Sequence, residues 1–164
     1  MTRPRTIALA LLAGALFYSR VVRKRVLARG ATSEEAAGRL PGDELLEDAD
    51  GVATRALTVD APASAVWPWL VQMGPSPRGG AYTYDWIENV LATRPADGNW
   101  VWTFVLDERG RTTRLISRNR FRLPRLRDRL GMIPLEPASL VMERKMLHGI
   151  KERAERLAAG EDRC

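Results

Sequence analysis

Two runs in the second half of the chain, Asn99 to Leu106 and Thr112 to Leu123, alternate in a way that suits a sheet with two unlike faces. Asp107-Glu108-Arg109-Gly110 separates them. Joined as a hairpin through that four-residue loop, the runs set Leu106 opposite Arg111, Trp102 opposite Leu115 and Phe104 opposite Thr113. One face then collects Trp100, Trp102, Phe104, Thr113 and Leu115. The other takes Thr103, Val105, Arg114, Ile116 and Arg118, with Arg120 and Arg122 continuing the row. Aromatics at every second position across from arginines at every second position predict an antiparallel sheet with one core side and one wet, basic side.

Nine arginines lie between Arg109 and Arg129, and the whole chain carries a formal charge of +6. Such a surface attracts an anionic neighbour. Nucleic acid is disfavoured, because the aromatics belong to the opposite face and no base can stack among these arginines. No helix-turn-helix, zinc-finger, RNP or KH pattern appears either. The charge therefore points to an anionic membrane surface, and no nucleic acid is expected. The single cysteine, Cys164, leaves no internal disulfide and no cysteine metal site, and His148 is the only histidine. No metal, cofactor or catalytic residue is assigned. A chain of 164 residues with 45% apolar content has room for one core and an appendage.

Val52 to Asp60 alternates as a first strand, with Ala53, Leu57 and Val59 on one face and Thr54, Ala56 and Thr58 on the other. The next stretch, Asp60 to Asn89, holds three of the five tryptophans and two of the three tyrosines. Pro62 suits the first turn of a helix, in which Ala65, Trp69 and Met73 fall four apart with Val66 and Leu70 beside them. The Gly/Pro-rich residues 74–80 form a loop. Asp85 and Glu88 have the spacing of a helix N-terminus, and capping is the better reading of Asp85 than catalysis. A last helix is predicted from Pro137 to Ala159, with Met142, Met146, Gly149, Ile150, Ala154 and Leu157 as its apolar stripe.

At the start of the chain, Thr6 to Tyr18 is thirteen residues without a charge, flanked by arginines. As a helix it spans about 20 Å, short of the hydrocarbon core, and it reaches the lower edge of a spanning segment only when extended through Val22. A retained anchor in residues 1–30, with the domain on the cytoplasmic side, is the reading taken from the basic residues that follow. A cleaved signal peptide and a helix lying in the interface are the alternatives. Residues 31–51 read as a connector with one short helix, introduced by the capping-box pair Thr32 and Glu35.

In order along the chain, VDAPASAVWPWLVQMG, RGGAYTYDWIENVL, WTFVL, TRLISR and EPASLVMERKMLHGIKERAE resemble segments of a bacterial branch of the START-like, or SRPBCC, helix-grip superfamily. The superfamily includes polyketide cyclases and lipid-transfer domains. The resemblance covers roughly Ala31 to Glu155 and implies an α+β fold, an antiparallel sheet curled around a long C-terminal helix with an apolar cavity between them. Leu91 is followed by Trp100 nine residues on, where the family has several more strands. A shortened, incomplete helix-grip domain over 52–160, with about three strands, is therefore expected. The implied cavity would be lined by Trp69 and Met73, by Tyr82, Tyr84 and Trp86, by Trp100, Trp102, Phe104 and Leu115, and by Met142 and Met146. The function so implied is binding of a hydrophobic small molecule or lipid at the membrane surface. A cyclase- or dehydrase-like enzyme and a non-catalytic remnant are the alternatives. The remnant would pair its open sheet edge with another chain, as in a homodimer.

Overall fold

A computed structural model describes residues 4–73 and 100–160 of the chain. The loop expected over residues 74–80, the helix expected after Asp85, and Tyr82, Tyr84 and Trp86 lie outside the described residues. The fold is α+β. Three strands, β1 (Gly51–Val59), β2 (Trp100–Arg109) and β3 (Thr112–Phe121), make an antiparallel sheet in the order β1-β3-β2. The helices are α1 (Pro4–Phe17), α2 (Arg23–Leu27), α3 (Ser33–Ala37), α4 (Ala63–Val71) and the 34-residue α5 (Leu126–Ala159). A π-turn at Tyr18–Val22 joins α1 to α2 without a break in helical backbone, and a 3-10 turn spans Asp43–Leu46.

The hairpin differs from its expected register by four residues. Leu106 lies opposite Leu115, Phe104 opposite Ser117, Trp102 opposite Asn119 and Trp100 opposite Phe121. Arg109 pairs with Thr112, so the loop is only Gly110 and Arg111. Gly110 has φ +66°, the positive angle that a two-residue loop needs at its first position. The polar residues read as loop instead extend β2, where Asp107 faces Arg114 across the ladder. Because four is even, every side chain keeps its predicted face.

One face of the sheet meets α4 and α5. Leu57, Val59, Phe104, Leu106 and Leu115 pack there against Ala65 and Val66 of α4 and Met146, Leu147, Ile150 and Ala154 of α5. Here α5 starts eleven residues before the expected Pro137 and carries both Pro134 and Pro137 inside it. The Asp128 carboxylate accepts from the Arg125 N–H at 3.2 Å and caps the true start. Each proline removes one helical N–H, yet Met132 and Glu136 are buried on either side of Pro134, and that packing carries the helix through. Its buried side also differs from the expected stripe, running Glu136, Glu143, Met146, Leu147, Ile150, Ala154.

The other face is not wet, which corrects the expectation drawn from its arginines. Residues 30–50 cross it as a strap. Arg118, at 2% exposure, uses all five of its donors: to Thr54 Oγ1, to the carbonyl oxygens of Glu35, Ala36 and Gly38, and to Asp43 Oδ2 at 2.6 Å. Arg114 holds Glu35 with two bonds of 2.8 Å and donates to Gly30 O. Arg120 donates to Leu46 O and Glu47 O, and Arg122 to Asp48. The strap can lie this close partly because Gly30, at φ +76°, has no Cβ to strike the Ala56 carbonyl oxygen. Within it α3 begins as expected, Thr32 Oγ1 accepting from Glu35 N and Glu35 Oε2 from Thr32 N. Residues 31–51 contain seven acidic side chains against one arginine. That complement to the basic row is the physical reason the face is covered.

Candidate ligand-binding face

The edge strand β2 and the helix-facing side of the sheet bring the expected site residues into two neighbouring groups. Trp69, Met73, Phe104, Leu115 and Met146 share the apolar cluster between the sheet and the helices α4 and α5. Leu115 and Met146 are buried there as core, while Trp69, Met73 and Phe104 are half-buried around it. Trp100 and Trp102 lie farther along β2, outside that cluster, each with one aromatic and one polar neighbour. Met142 is half-buried on α5, one residue before the buried Glu143.

Each of the two tryptophans has its ring against one aromatic neighbour and its N–H tied inward. Trp100 stacks on Phe121 at 5.1 Å and donates to Asn119 Oδ1 at 2.8 Å. Trp102 tilts on Phe104 at 5.1 Å and donates to Ser117 Oγ at 2.8 Å. Asn119 Nδ2 and Ser117 Oγ in turn donate to the two carboxylate oxygens of Glu143, at 2.7 and 3.2 Å. With the N–H satisfied from below, Trp102 as a residue remains 45% exposed.

Beneath the tryptophans is a charged pair that the sequence reading did not single out. Arg55 Nη1 and Glu143 Oε1 stand 2.5 Å apart, both buried between β1 and α5. Arg55 also donates to Ser139 Oγ at 3.0 Å. Burial pushes the Glu143 carboxyl above its ordinary value, against the opposing pull of Arg55, Ser117 and Asn119. Two signals for this pair are present in the chain. Arg55 stands at the inward positions of β1 with Ala53, Leu57 and Val59, and an arginine placed there requires a buried acceptor. Glu143 precedes Leu147 and Ile150 by four and seven, the spacing of one helix face. Trp69 Nε1 is buried and has no hydrogen-bond partner among the described residues.

What this arrangement offers chemically is an open indole surface over a polar floor whose donors and acceptors already satisfy one another. Among the described residues no cluster of three or more His, Cys, Asp or Glu side chains is arranged to hold a metal ion. Compared with known proteins, the chain matches no family model, no curated protein and no solved structure.

Proposed function

We propose that the chain is a shortened START-like domain that binds a hydrophobic small molecule or lipid at a membrane surface. The observation that supports this reading is Trp102, whose indole ring stands open on the helix side of the sheet while its N–H is held by Ser117. Large aromatic surface left open with its polar atom satisfied attracts apolar partners. The N–H of Trp69, a half-buried residue at the rim of the apolar cluster, has no partner among the described residues and fits a ligand that also carries one hydrogen-bond acceptor. The membrane part of the proposal rests on the uncharged run of α1 and the basic residues after it, with the domain on the cytoplasmic side. No helix among the described residues is long and apolar enough to cross a membrane. In this proposal α1 therefore holds the chain at the bilayer by lying in the interface or by spanning with its flanking residues.

Native mass spectrometry of the full chain extracted from membranes tests the reading. The expected result is a bound apolar molecule that is lost, or exchanged more readily, in Trp102→Ala. Extraction of ligand-free protein that also fails to take up fatty-acid-like probes would end it. A second reading, a cyclase- or dehydrase-like enzyme, draws on Glu143, a buried carboxyl with a raised pKa two hydrogen bonds from the open tryptophan. It requires turnover that Glu143→Gln abolishes while ligand binding persists. The remnant reading, in which the protein acts by pairing strands with another chain, draws on β2 being last in the sheet order. It requires an oligomer that Val101→Lys dissociates.

A further inference from the structure

Arg114, Arg118, Arg120 and Arg122 are occupied by the strap, so that face does not meet an anionic bilayer and other basic groups must. Two of them, Arg125 and Arg127, stand at the start of α5 beside exposed apolar side chains. Tyr18 Oη donates to Glu136 Oε2 at 3.0 Å, and Arg23 grips the same carboxylate through Nε and Nη2 at 2.7 to 3.0 Å. Farther along both elements, Arg29 lines a groove with Leu140, Arg144 and His148. The N-terminal helix thus runs parallel to α5, and α1 leaves the domain at the end where α5 begins.

Both helices show apolar side chains to solvent at that end. On α1 these include Leu9, Leu16 and Phe17. On α5 they are Leu126, Leu130 and Ile133, at 73, 57 and 41% exposure, and Val141 continues the line two turns on. Spacings of four, three and eight place all four on one side of the helix, turned away from the buried stripe through Met132, Glu136 and Glu143. The next residues on that side are Arg144 and His148, so the apolar character is confined to the N-terminal half. Arg125 and Arg127 adjoin it along the chain and are exposed, as are Lys24 and Arg25 of α2. Among the described residues Arg127 has only its neighbour Asp128, at 3.6 Å, as an ionic partner.

We infer that the first two turns of α5, Leu126 to Ile133, form a second membrane contact. They would lie in the interface of an anionic bilayer beside α1, their leucines among the acyl chains and Arg125 and Arg127 at the headgroups. Exposed apolar residues flanked by basic ones are the chemistry of an interfacial helix, and each basic group near an anionic surface adds about fivefold to partitioning. The inference rests on the membrane reading proposed above and adds an element to it. It also fixes the domain against the bilayer through two helices, which a single flexible anchor does not.

The test uses the full chain with Cys164→Ser and one environment-sensitive fluorophore, placed in turn at Leu9→Cys, Leu130→Cys and Glu152→Cys. Phosphatidylcholine vesicles with and without phosphatidylserine are added. Blue shifts at positions 9 and 130 that need phosphatidylserine, with none at 152, are expected. Leu130→Glu combined with Ile133→Glu should lower vesicle binding about tenfold or more while the circular dichroism spectrum is unchanged, since both side chains are exposed. A shift at position 9 with none at 130 would overturn the inference and leave the membrane reading intact. Failure of every labelled chain to bind vesicles would overturn both. A concentration-dependent shift at 130 without vesicles would also overturn it, because a second copy would then cover the surface.

Discussion

The two faces of the sheet are both built around a buried arginine, and they hold their neighbours by different physics. On the helix side Arg55 meets one carboxylate, Glu143, with Ser117, Asn119 and Ser139 around the pair and the apolar cluster beside it. On the strap side Arg118 meets Asp43, but three of its donors go to main-chain carbonyl groups, and Arg114, Arg120 and Arg122 add more bonds of that kind. Apolar contact favours close approach of whole elements and is proportional to the area removed from water. Hydrogen bonds from arginine to backbone oxygen contribute little net energy each but fix position, and no side-chain change in the strap removes their acceptors. The helix side therefore carries the stability of the domain, whereas the strap side specifies how a polar segment lies across it.

The largest effects should separate these roles. Glu143→Ala leaves the Arg55 charge buried without its partner and should lower global stability by about 3–5 kcal/mol in urea unfolding. Replacing the pair together, by Arg55→Met with Glu143→Leu, should recover most of that loss. Arg118→Ala breaks a pair of similar burial, but its expected result is local. Hydrogen exchange and proteolysis should rise within residues 30–50, while α5 and β3 keep their protection. Equal loosening of strap and core would break the contrast between the faces.

Next in size is Leu115→Ala, expected to cost about 2–5 kcal/mol, because the side chain is fully buried and the sheet can collapse only partly around the gap. Trp102→Ala should cost less, about 1–2 kcal/mol, through the lost ring contact with Phe104 and the bond to Ser117. A loss as large as that of Leu115→Ala would mean that Trp102 is core and would remove the main support for a ligand there.

The smallest expected effect depends on pH. Hydrogen bonds from Arg114 hold the Glu35 carboxyl below its ordinary value of 4.5. A carboxyl with a depressed folded-state pKa contributes stability that is present above the unfolded value and lost as pH falls through the folded one. Strap protection measured by hydrogen exchange should therefore decline as the medium is made more acid than that ordinary value. Glu35→Gln should abolish the decline, whereas Thr32→Ala, which removes only the cap, should leave its pH dependence in place at a uniformly lower protection.

Much of this architecture was legible in the chain. Alternation along 99–123 assigned each residue of the hairpin to its face, and that assignment survived a four-residue change of register because side-chain direction depends only on whether the shift is even. The Thr32–Glu35 pair announced α3, since a capping box is closed by neighbours three residues apart. Local rules of this kind act over a few residues and can be read wherever they occur. They misjudge α5, where proline reads as a start, because the packing of Met132 and Glu136 that carries the helix past Pro134 comes from elsewhere in the chain. Sequence also supplied seven acids in the connector and a row of arginines in β3 without saying that they meet. Arg118 and Asp43 are 75 residues apart, as are the other strap partners of these arginines to within about ten, and Arg55 and Glu143 are separated further still. Charge on an exposed surface and charge buried in a pair have the same composition. Which of the two it becomes is decided by the tertiary structure, because only there do the distances become short enough for an opposite charge and a carbonyl oxygen to replace water.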